Sequence, residues 1–388
     1  MLKLLSLFFQ RKLMEGDSIE EFEQRFAEYI GTESACAVSS GRYGLKLILE
    51  SLGLKKGDEI IIPAYTFYVV PEVVKKAGFV PVFVDINAND YNIDTRCIEE
   101  KITEKTKVII AVHLFGKPCE LDRISEIAKK HGLFVIEDCA QSIGAEYRNK
   151  KVGSFGNCAY FSFETVKPFH TFGGGMIVTS NKSLHQKLKK ATQVCSYPKY
   201  SGVAKKIFFT IMESMLTSYF LFTIFIYPLF FLAMIFGKDL KKVAKRTKGK
   251  FKLLQTRYTN FQASIGILKF GALDFQLERM IMNVKLLNER LDQSIATQNL
   301  DDHTKPIFYY FVVKSKNRKN FSNVLFRKGI IGTTNMAQNC CKDSSLGDYY
   351  PVAREADADL FQIPVYSNFS LKDIERLSSI LNRYFKQE

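Results

Sequence analysis

Short apolar runs alternate with helical stretches through the first half of this chain, and no other feature restricts the fold as much. "EIIIPAY" precedes "TFYVVPEVVKKAG", "VPVFVDI" precedes "TRCIEEKI", "KVIIAVHLFG" precedes "ELDRISEIAKKHG", and "LFVIEDCAQ" follows. Strands that are apolar along their whole length are buried on both faces, so the pattern predicts an α/β fold with a mainly parallel sheet covered by helices. Ligands in such sheets lie beyond the carboxyl ends of the strands. After "AYFSFE" and "GGMIVTS" the helical "NKSLHQKLKKATQV" is expected, and a long amphipathic helical region is expected over roughly 258–297.

The tail repeats the alternation on a smaller scale, with "IFYYFVVKS", helical "NFSNVLFRKG", strand-like "LFQIPVY" and a final helix "LKDIERLSSILNRYF". The 388 residues therefore divide into an N-terminal segment 1–17, a large domain 18–297 with an insert at 200–252, and a small C-terminal α+β domain 298–388. The start, "MLKLLSLFFQRKLMEG", has a short apolar core with no small-residue cleavage site after it, and reads as a tucked or interfacial segment. The eight cysteines show no C-x-x-C spacing and no clustering with histidine, so no metal site is expected and the thiols read as free in a reducing compartment.

Three stretches carry chemistry. In "SSGRYGLKLIL", Ser39, Ser40 and Gly41 open a helix whose free N–H groups and positive dipole end suit a phosphate, although serine before a helix is more often only a cap. In "FVIEDCAQSIGA", Asp138 ends an apolar strand at the ligand-binding edge, where a lone aspartate is more often a helix cap. In "AYFSFETVKPFHTFGGGMIVTS", Lys167 lies between two strand-like runs, and Gly173 to Gly175 allow a tight turn. Most lysines are solvated surface charges, but one held in an apolar pocket has a depressed pKa and forms a Schiff base with an aldehyde.

These stretches, with "GDEIIIPAYTF", "PVFVDINANDYNID", "VHLFGKPCELDRISEIAKKHGLFVIEDCAQSIGA", "VGSFGNCAYFSF" and "RYTNFQASIGILKFGALD", resemble the pyridoxal 5'-phosphate (PLP) dependent sugar aminotransferases of the DegT/StrS type. The resemblance covers roughly 18–200 and 255–385, and is closest up to Thr179. It implies a PLP-dependent transferase fold of the aspartate-aminotransferase type. It also implies that Lys167 binds the cofactor aldehyde and then moves protons, and that Asp138 pairs with the pyridinium nitrogen so that the ring acts as an electron sink. Gln141 matches a residue near the ring's phenolic oxygen, and Phe67 matches the aromatic that stacks on the ring. Ser162 and the backbone of Ser40, Gly41 and Arg42 match the phosphate cradle. Arg257 matches an interface arginine, since family members complete each site from a neighbouring subunit in a homodimer. The implied reaction moves an amino group from an amino acid, often glutamate, to a nucleotide-linked keto sugar, as in cell-surface glycan or polysaccharide biosynthesis.

The chain departs from the family at several positions. Arg42 replaces a small hydroxyl residue, Gln255 stands where asparagine is usual, and "GIIGTTNMAQNCC" lacks the His-Tyr-Pro stretch near the sugar-nucleotide pocket. The dehydratase branch carries histidine in place of the lysine; here Lys167 holds that spacing, and His170 reads as a pocket-wall or structural residue.

The largest departure is "SMLTSYFLFTIFIYPLFFLAMIF", 23 residues without a charge, from Ser214 to Phe236. The formal net charge is +15, and between Lys182 and Lys252 fifteen basic residues face only Glu213 and Asp239. The basic character thus belongs to the flanks of this run, which argues for anionic lipid headgroups and against nucleic acid. Both flanks belong to one folded unit, so a single span is excluded on topology. A re-entrant hairpin, an interfacial helix pair or a subunit-contact arm remains, with Pro228 near the bend. Arms of about 13 to 15 residues reach roughly 20 Å, enough for one leaflet. Lys205 and Lys206 before the run, and Lys238, Lys241, Lys242 and Lys245 after it, fit two ends on the cytoplasmic face of a membrane. Membrane lipids through 207–236 are thus an expected partner, and a lipid-linked or amphiphilic ketone is a second candidate acceptor. A non-catalytic membrane scaffold that retains the fold is the rival from another class, and intact Asp138, Ser162 and Lys167 speak against it.

Overall fold

The computed structural model describes residues 12–205, 253–299, 301–334, 336–341 and 350–388, with isolated positions 208, 212, 224 and 228. The expected membrane insert therefore lies almost wholly outside the described residues. Among the described residues, no helix is long and apolar enough to cross a membrane.

Seven strands form the central sheet: β1 (Ser34–Val38), β2 (Glu59–Pro63), β3 (Val80–Val84), β4 (Thr106–Val112), β5 (Phe134–Asp138), β6 (Cys158–Ser162) and β7 (Gly175–Thr179). Their order is β1-β7-β6-β5-β4-β2-β3, and only the pairings of β7 with β1 and β6 are antiparallel. The sheet is buried on both faces because its strands alternate apolar residues in both directions. In β4, Ile109 and Ala111 enter one core while Val108, Ile110 and Val112 enter the other. That two-sided burial is what a parallel sheet with helices on each face requires.

Helices α1 (Ser18–Ile30), α2 (Gly41–Ser51), α3 (Val69–Lys76), α4 (Leu121–His131) and α5 (Lys182–Gln193) belong to the first half. Helices α1 and α4 close on Gly31 and Gly132, both left-handed, as helix ends favour. Helices α6 (Asn260–Phe270) and α7 (Leu273–Asn288) follow the insert. Two helical expectations need correction. "TRCIEEKI" forms two short 3₁₀ turns, Thr95–Cys97 and Glu99–Lys101. The Asp94 carboxylate binds the backbone N–H of Arg96 and also its guanidinium, and such local side-chain bonds compete with an α-helix. The long helical region after Tyr258 is broken at Gly271 and Ala272 into α6 and α7.

A third core surrounds a small sheet of β8 (Phe311–Lys314) and β9 (Leu360–Ile363), antiparallel, with Phe321, Leu325, Leu377 and Leu381 packed on it. Helices α8 (Arg318–Arg327), α9 (Pro351–Asp359) and α10 (Leu371–Phe385) complete this part. Helix α7 serves two cores: Leu273, Leu277 and Met280 pack under the large sheet, and Ile281, Val284 and Leu287 pack in the small one. At the N-terminal end, Leu13 is buried against Phe261 and Ile265, and Asn260 N–H donates to the Met14 carbonyl at 2.9 Å.

Candidate active site

The carboxyl ends of β4, β5 and β6 meet at one edge of the sheet, where Val112 pairs with Asp138 and Asp138 with Tyr160. Asp138 is only 6% exposed. Its Oδ2 accepts a 2.5 Å hydrogen bond from the Tyr160 hydroxyl, and its Oδ1 accepts one of 2.9 Å from Ala140 N–H. Burial pushes the Asp138 carboxyl up; the bonds from Tyr160 and Ala140 and the charges of Lys167 and His113 oppose it.

Lys167 stands on the loop between β6 and β7. Phe163 and Phe169 on either side are buried against Phe22, which fixes both ends of the lysine segment in the core. The loop is closed by backbone bonds from Thr171 and Gly173 N–H to the Phe163 carbonyl. Phe172, Gly173 and Gly174 all have positive φ, and a Cβ at Gly174 would strike the Tyr258 ring, so glycine is required there. Tyr258 and Thr171 share a 2.6 Å hydroxyl contact, and Gln262 Nε2 donates to the Gly173 carbonyl at 2.9 Å. Burial lowers the Lys167 amine to about 8, while Asp138 and Glu164 pull it up. At pH 7.5 roughly a quarter of such amines are neutral, against about one in a thousand for an exposed lysine. A buried amine of this kind has the chemistry of a nucleophile and proton carrier.

The residues expected to cradle a phosphate converge beside it. Ser40 caps α2, its Oγ accepting from Tyr43 N–H at 3.2 Å, and it bridges to Gly174. A Cβ at Gly41 would lie 3.0 Å from Ser162 Cβ, so the first turn of α2 rests on the end of β6. That turn presents N–H groups to an anion. Arg42 reaches Glu164 at 3.9 Å, which joins α2 to the lysine loop. Gln141 is buried and its Oε1 accepts from Phe115 N–H at 3.0 Å. Phe67 is partly buried and follows Tyr65–Thr66, which pair with Gln338–Asn339. Part of the stretch that departs from the family pattern, Gln338 and Asn339, therefore lies beside the residues that precede Phe67.

Arg257, expected at a subunit interface, rests on an aromatic ring. Its guanidinium stacks on Tyr197 at 4.4 Å, in a cavity of about 240 Å³ also lined by Glu20, Glu23, Lys189 and Tyr258. His170 accepts a 2.8 Å hydrogen bond from the Lys269 amine, and burial together with that amine lowers its pKa to about 4. Three features were not anticipated from sequence: Tyr160 on Asp138, Tyr309 whose ring lies 4.3 Å from Lys167 Nζ, and a buried His113–Glu137 pair. Strand alternation places Tyr160 on the same face as Ser162, so it carried a signal.

His113, Glu137 and Cys139 have metal-ligand chemistry and lie close together. The hydrogen bonds give them another role. Cys119 N–H donates to His113 Nδ1, so Nε2 carries the proton given to Glu137. Glu137 also accepts from Gly153, Phe155 and Gly156 N–H groups at 2.7–2.9 Å, which saturates the carboxylate and ties down the turn before β6.

The residues fit pyridoxal phosphate. Asp138 is a buried carboxyl with two acceptor positions still open, Lys167 is a depressed amine nearby, and a helix N-terminus lies against Ser162. A mostly parallel sheet with this edge defines the class of pyridoxal-phosphate-dependent transferases. The profile of the DegT/DnrJ/EryC1/StrS aminotransferase family matches residues 4–211, and the chain belongs to that family, whose members depend on PLP. It is 43% identical over 173 residues to the GDP-perosamine synthase of Escherichia coli O157:H7, a match covering 45% of this chain and 48% of that protein, about half its length. It is 28% identical over 375 residues to the dTDP-3-amino-3,6-dideoxy-alpha-D-galactopyranose transaminase of Aneurinibacillus thermoaerophilus, covering 95% of this chain and 90% of that one. Among solved structures, the PMP form of a putative sugar aminotransferase from Streptococcus pneumoniae superposes with a TM-score of 0.79 at 20% identity, covering 100% of this chain and 96% of that one.

Proposed function

We propose that this protein is a PLP-dependent transaminase that moves an amino group from an amino acid, with glutamate the first candidate, to a nucleotide-linked keto sugar in cell-surface polysaccharide biosynthesis. The observation that carries this reading is the presence of a buried Lys167 amine in the field of the buried Asp138 carboxyl at the carboxyl edge of the sheet. Named relatives that act on GDP- and dTDP-linked sugars support the acceptor class.

When bound, pyridoxal phosphate supplies the electron sink that stabilises negative charge at the carbon beside the transferred nitrogen. The chain's own residues do the rest. Asp138, held by Tyr160 and Ala140, would serve as the anionic partner of the ring nitrogen. The first turn of α2 and Ser162 would hold the phosphate. The neutral fraction of Lys167 takes a proton at Nζ from one carbon and returns it at the next. Phe67 and Gln141 would limit the ring's freedom, on one face and near its phenolic oxygen.

Membrane association is a second part of the proposal, resting on the uncharged run and its basic flanks. Two described apolar positions there, Phe208 and Ile224, are 63% and 48% exposed. The proposal extends to the cytoplasmic face of a membrane, on a monotopic or re-entrant segment, and to a homodimer in which Arg257, whose guanidinium lies over Tyr197, completes the neighbouring subunit's site. A lipid-linked keto sugar remains a second acceptor, favoured by the altered stretch, part of which lies beside the residues that precede Phe67.

Purified protein incubated with pyridoxal phosphate is expected to gain a visible absorbance band, and Lys167→Ala to lack it. A wild-type protein that stays colourless overturns the enzyme reading. Deleting Phe208 to Phe236 with a short linker is expected to release the chain from anionic vesicles while the band is kept. Continued sedimentation of the deleted form with vesicles overturns the anchor. Mass identification of the aminated product separates nucleotide-linked from lipid-linked acceptors.

A further inference from the structure

Lys167 stands in the field of two carboxylates, Asp138 from β5 and Glu164 from its own loop, yet it forms an ion pair with neither in the structure. Its Nζ lies instead over the face of Tyr309, 4.3 Å from the ring centre. Tyr309 comes from the segment that leads into β8 of the small core, and is itself buried at 5% exposure. The route that brings it there is specific. Ile307 N–H donates to the Gly116 carbonyl at 3.1 Å, and glycine is required at 116, where φ is +91 and a Cβ would lie 2.8 Å from Ile307 and 3.0 Å from Tyr309 N. Phe308 takes a positive φ of 50° and turns the chain so that the next side chain enters the large domain. The Tyr309 hydroxyl then donates to the Val166 carbonyl at 3.3 Å, and Tyr310 packs edge-on at 4.5 Å.

We propose that Tyr309 is a positioning residue for the reactive amine: its ring is the seat of the Lys167 ammonium, supplied by the small C-terminal core. An ammonium is attracted to the negative face of an aromatic ring, most strongly where water is excluded. The seat has a chemical purpose. A lysine that paired directly with Asp138 would occupy the acceptor positions the carboxyl needs for the cofactor's ring nitrogen. Seated on Tyr309, the ammonium stays close to the site and leaves Asp138 free. The phenol serves as a neutral ring, since burial and the neighbouring Tyr310 and Tyr366 push its ionisation upward, out of reach of ordinary pH. The charged and titratable groups facing the amine are Asp138, Glu164 with Arg42 behind it, and Tyr309 with Tyr310 and Tyr366.

This inference rests on Lys167 being the reactive amine, as proposed above, and its test is separate from cofactor binding. The full chain, stripped of cofactor, is acetylated with acetic anhydride across a pH series, and the Lys167 peptide is quantified by mass spectrometry. The wild-type midpoint is expected near pH 8. Tyr309→Phe keeps the ring and is expected to keep the midpoint. Replacing residue 309 by 4-fluoro-, 3,5-difluoro- and 3,4,5-trifluorophenylalanine drains the ring face without changing its shape. The midpoint is expected to fall stepwise, by about half to one pH unit over the series. A flat series overturns the seat, as does a Tyr309→Phe midpoint displaced as far as the trifluoro one. If the series is flat but borohydride still fixes pyridoxal phosphate to Lys167, the proposed function stands without the seat. If the series is stepped but no cofactor is fixed, the seat stands and the function fails.

Discussion

Asp138 and Tyr160 are direct partners across the parallel strands β5 and β6, and the tyrosine hydroxyl donates to Asp138 Oδ2 at 2.5 Å. The sheet register thus places a neutral donor on a buried carboxyl. Hydrogen bonding to the charged form favours it, so Tyr160 offsets part of the burial that pushes Asp138 up.

Tyr160→Phe should therefore weaken the hold on the cofactor's ring nitrogen without opening a cavity of any size. A hydrogen bond to a charged group contributes about 1.5–3 kcal/mol, so the dissociation constant for pyridoxal phosphate should rise by roughly tenfold or more. Absorbance titration of the variant measures this. An unchanged constant would show that Tyr160 only packs.

Lys167 gives a pH signature in the cofactor-free protein. Its folded-state value is depressed to about 8, below the roughly 10.4 of an unfolded chain, so between those values the unfolded state binds more protons. Stability should rise with pH through that window, and below it the cost of burying the charge is fully present. Lys167→Met should raise the melting temperature at pH 7, and the gain should fade towards pH 10. Thermal melts at both values decide it; an equal gain at each would mean that the methionine acts by packing alone.

Glu137 predicts a structural failure. Its four acceptor contacts come from His113 Nε2 and three N–H groups of the turn before β6. Glu137→Gln sets an amide NH₂ against those donors and should cost about 3 kcal/mol or more. Denaturant unfolding would read this as a lower midpoint. A variant as stable as the wild type would show that these bonds do not hold the turn before β6.

Legibility followed the range of the interaction. "LKDIERLSSILNRYF" forms α10, Leu371–Phe385, because its apolar spacing and its Ser370–Asp373 capping box are local. The double-sided strands were visible for the same reason. "TRCIEEKI" misled because Asp94, just outside the run, captured both the backbone and the side chain of Arg96. Asp138, Ser162 and Lys167 lie at strand ends and on a glycine-closed loop, so motif and position agree. Tyr309 had no such signal: it lies in an apolar run and meets Lys167 from far along the chain.

The sequence by itself determined the two-faced sheet, the chemistry at its carboxyl edge, and the family to which the chain belongs, since these are written in local periodicity and short motifs. Tertiary structure alone decided what surrounds the reactive groups. The ring over Lys167 and the hydroxyl on Asp138 arise from where the small core docks and from strand register. Those contacts fix burial and neighbouring charge, and hence which side chains are charged at neutral pH, a property that no stretch of sequence carries alone.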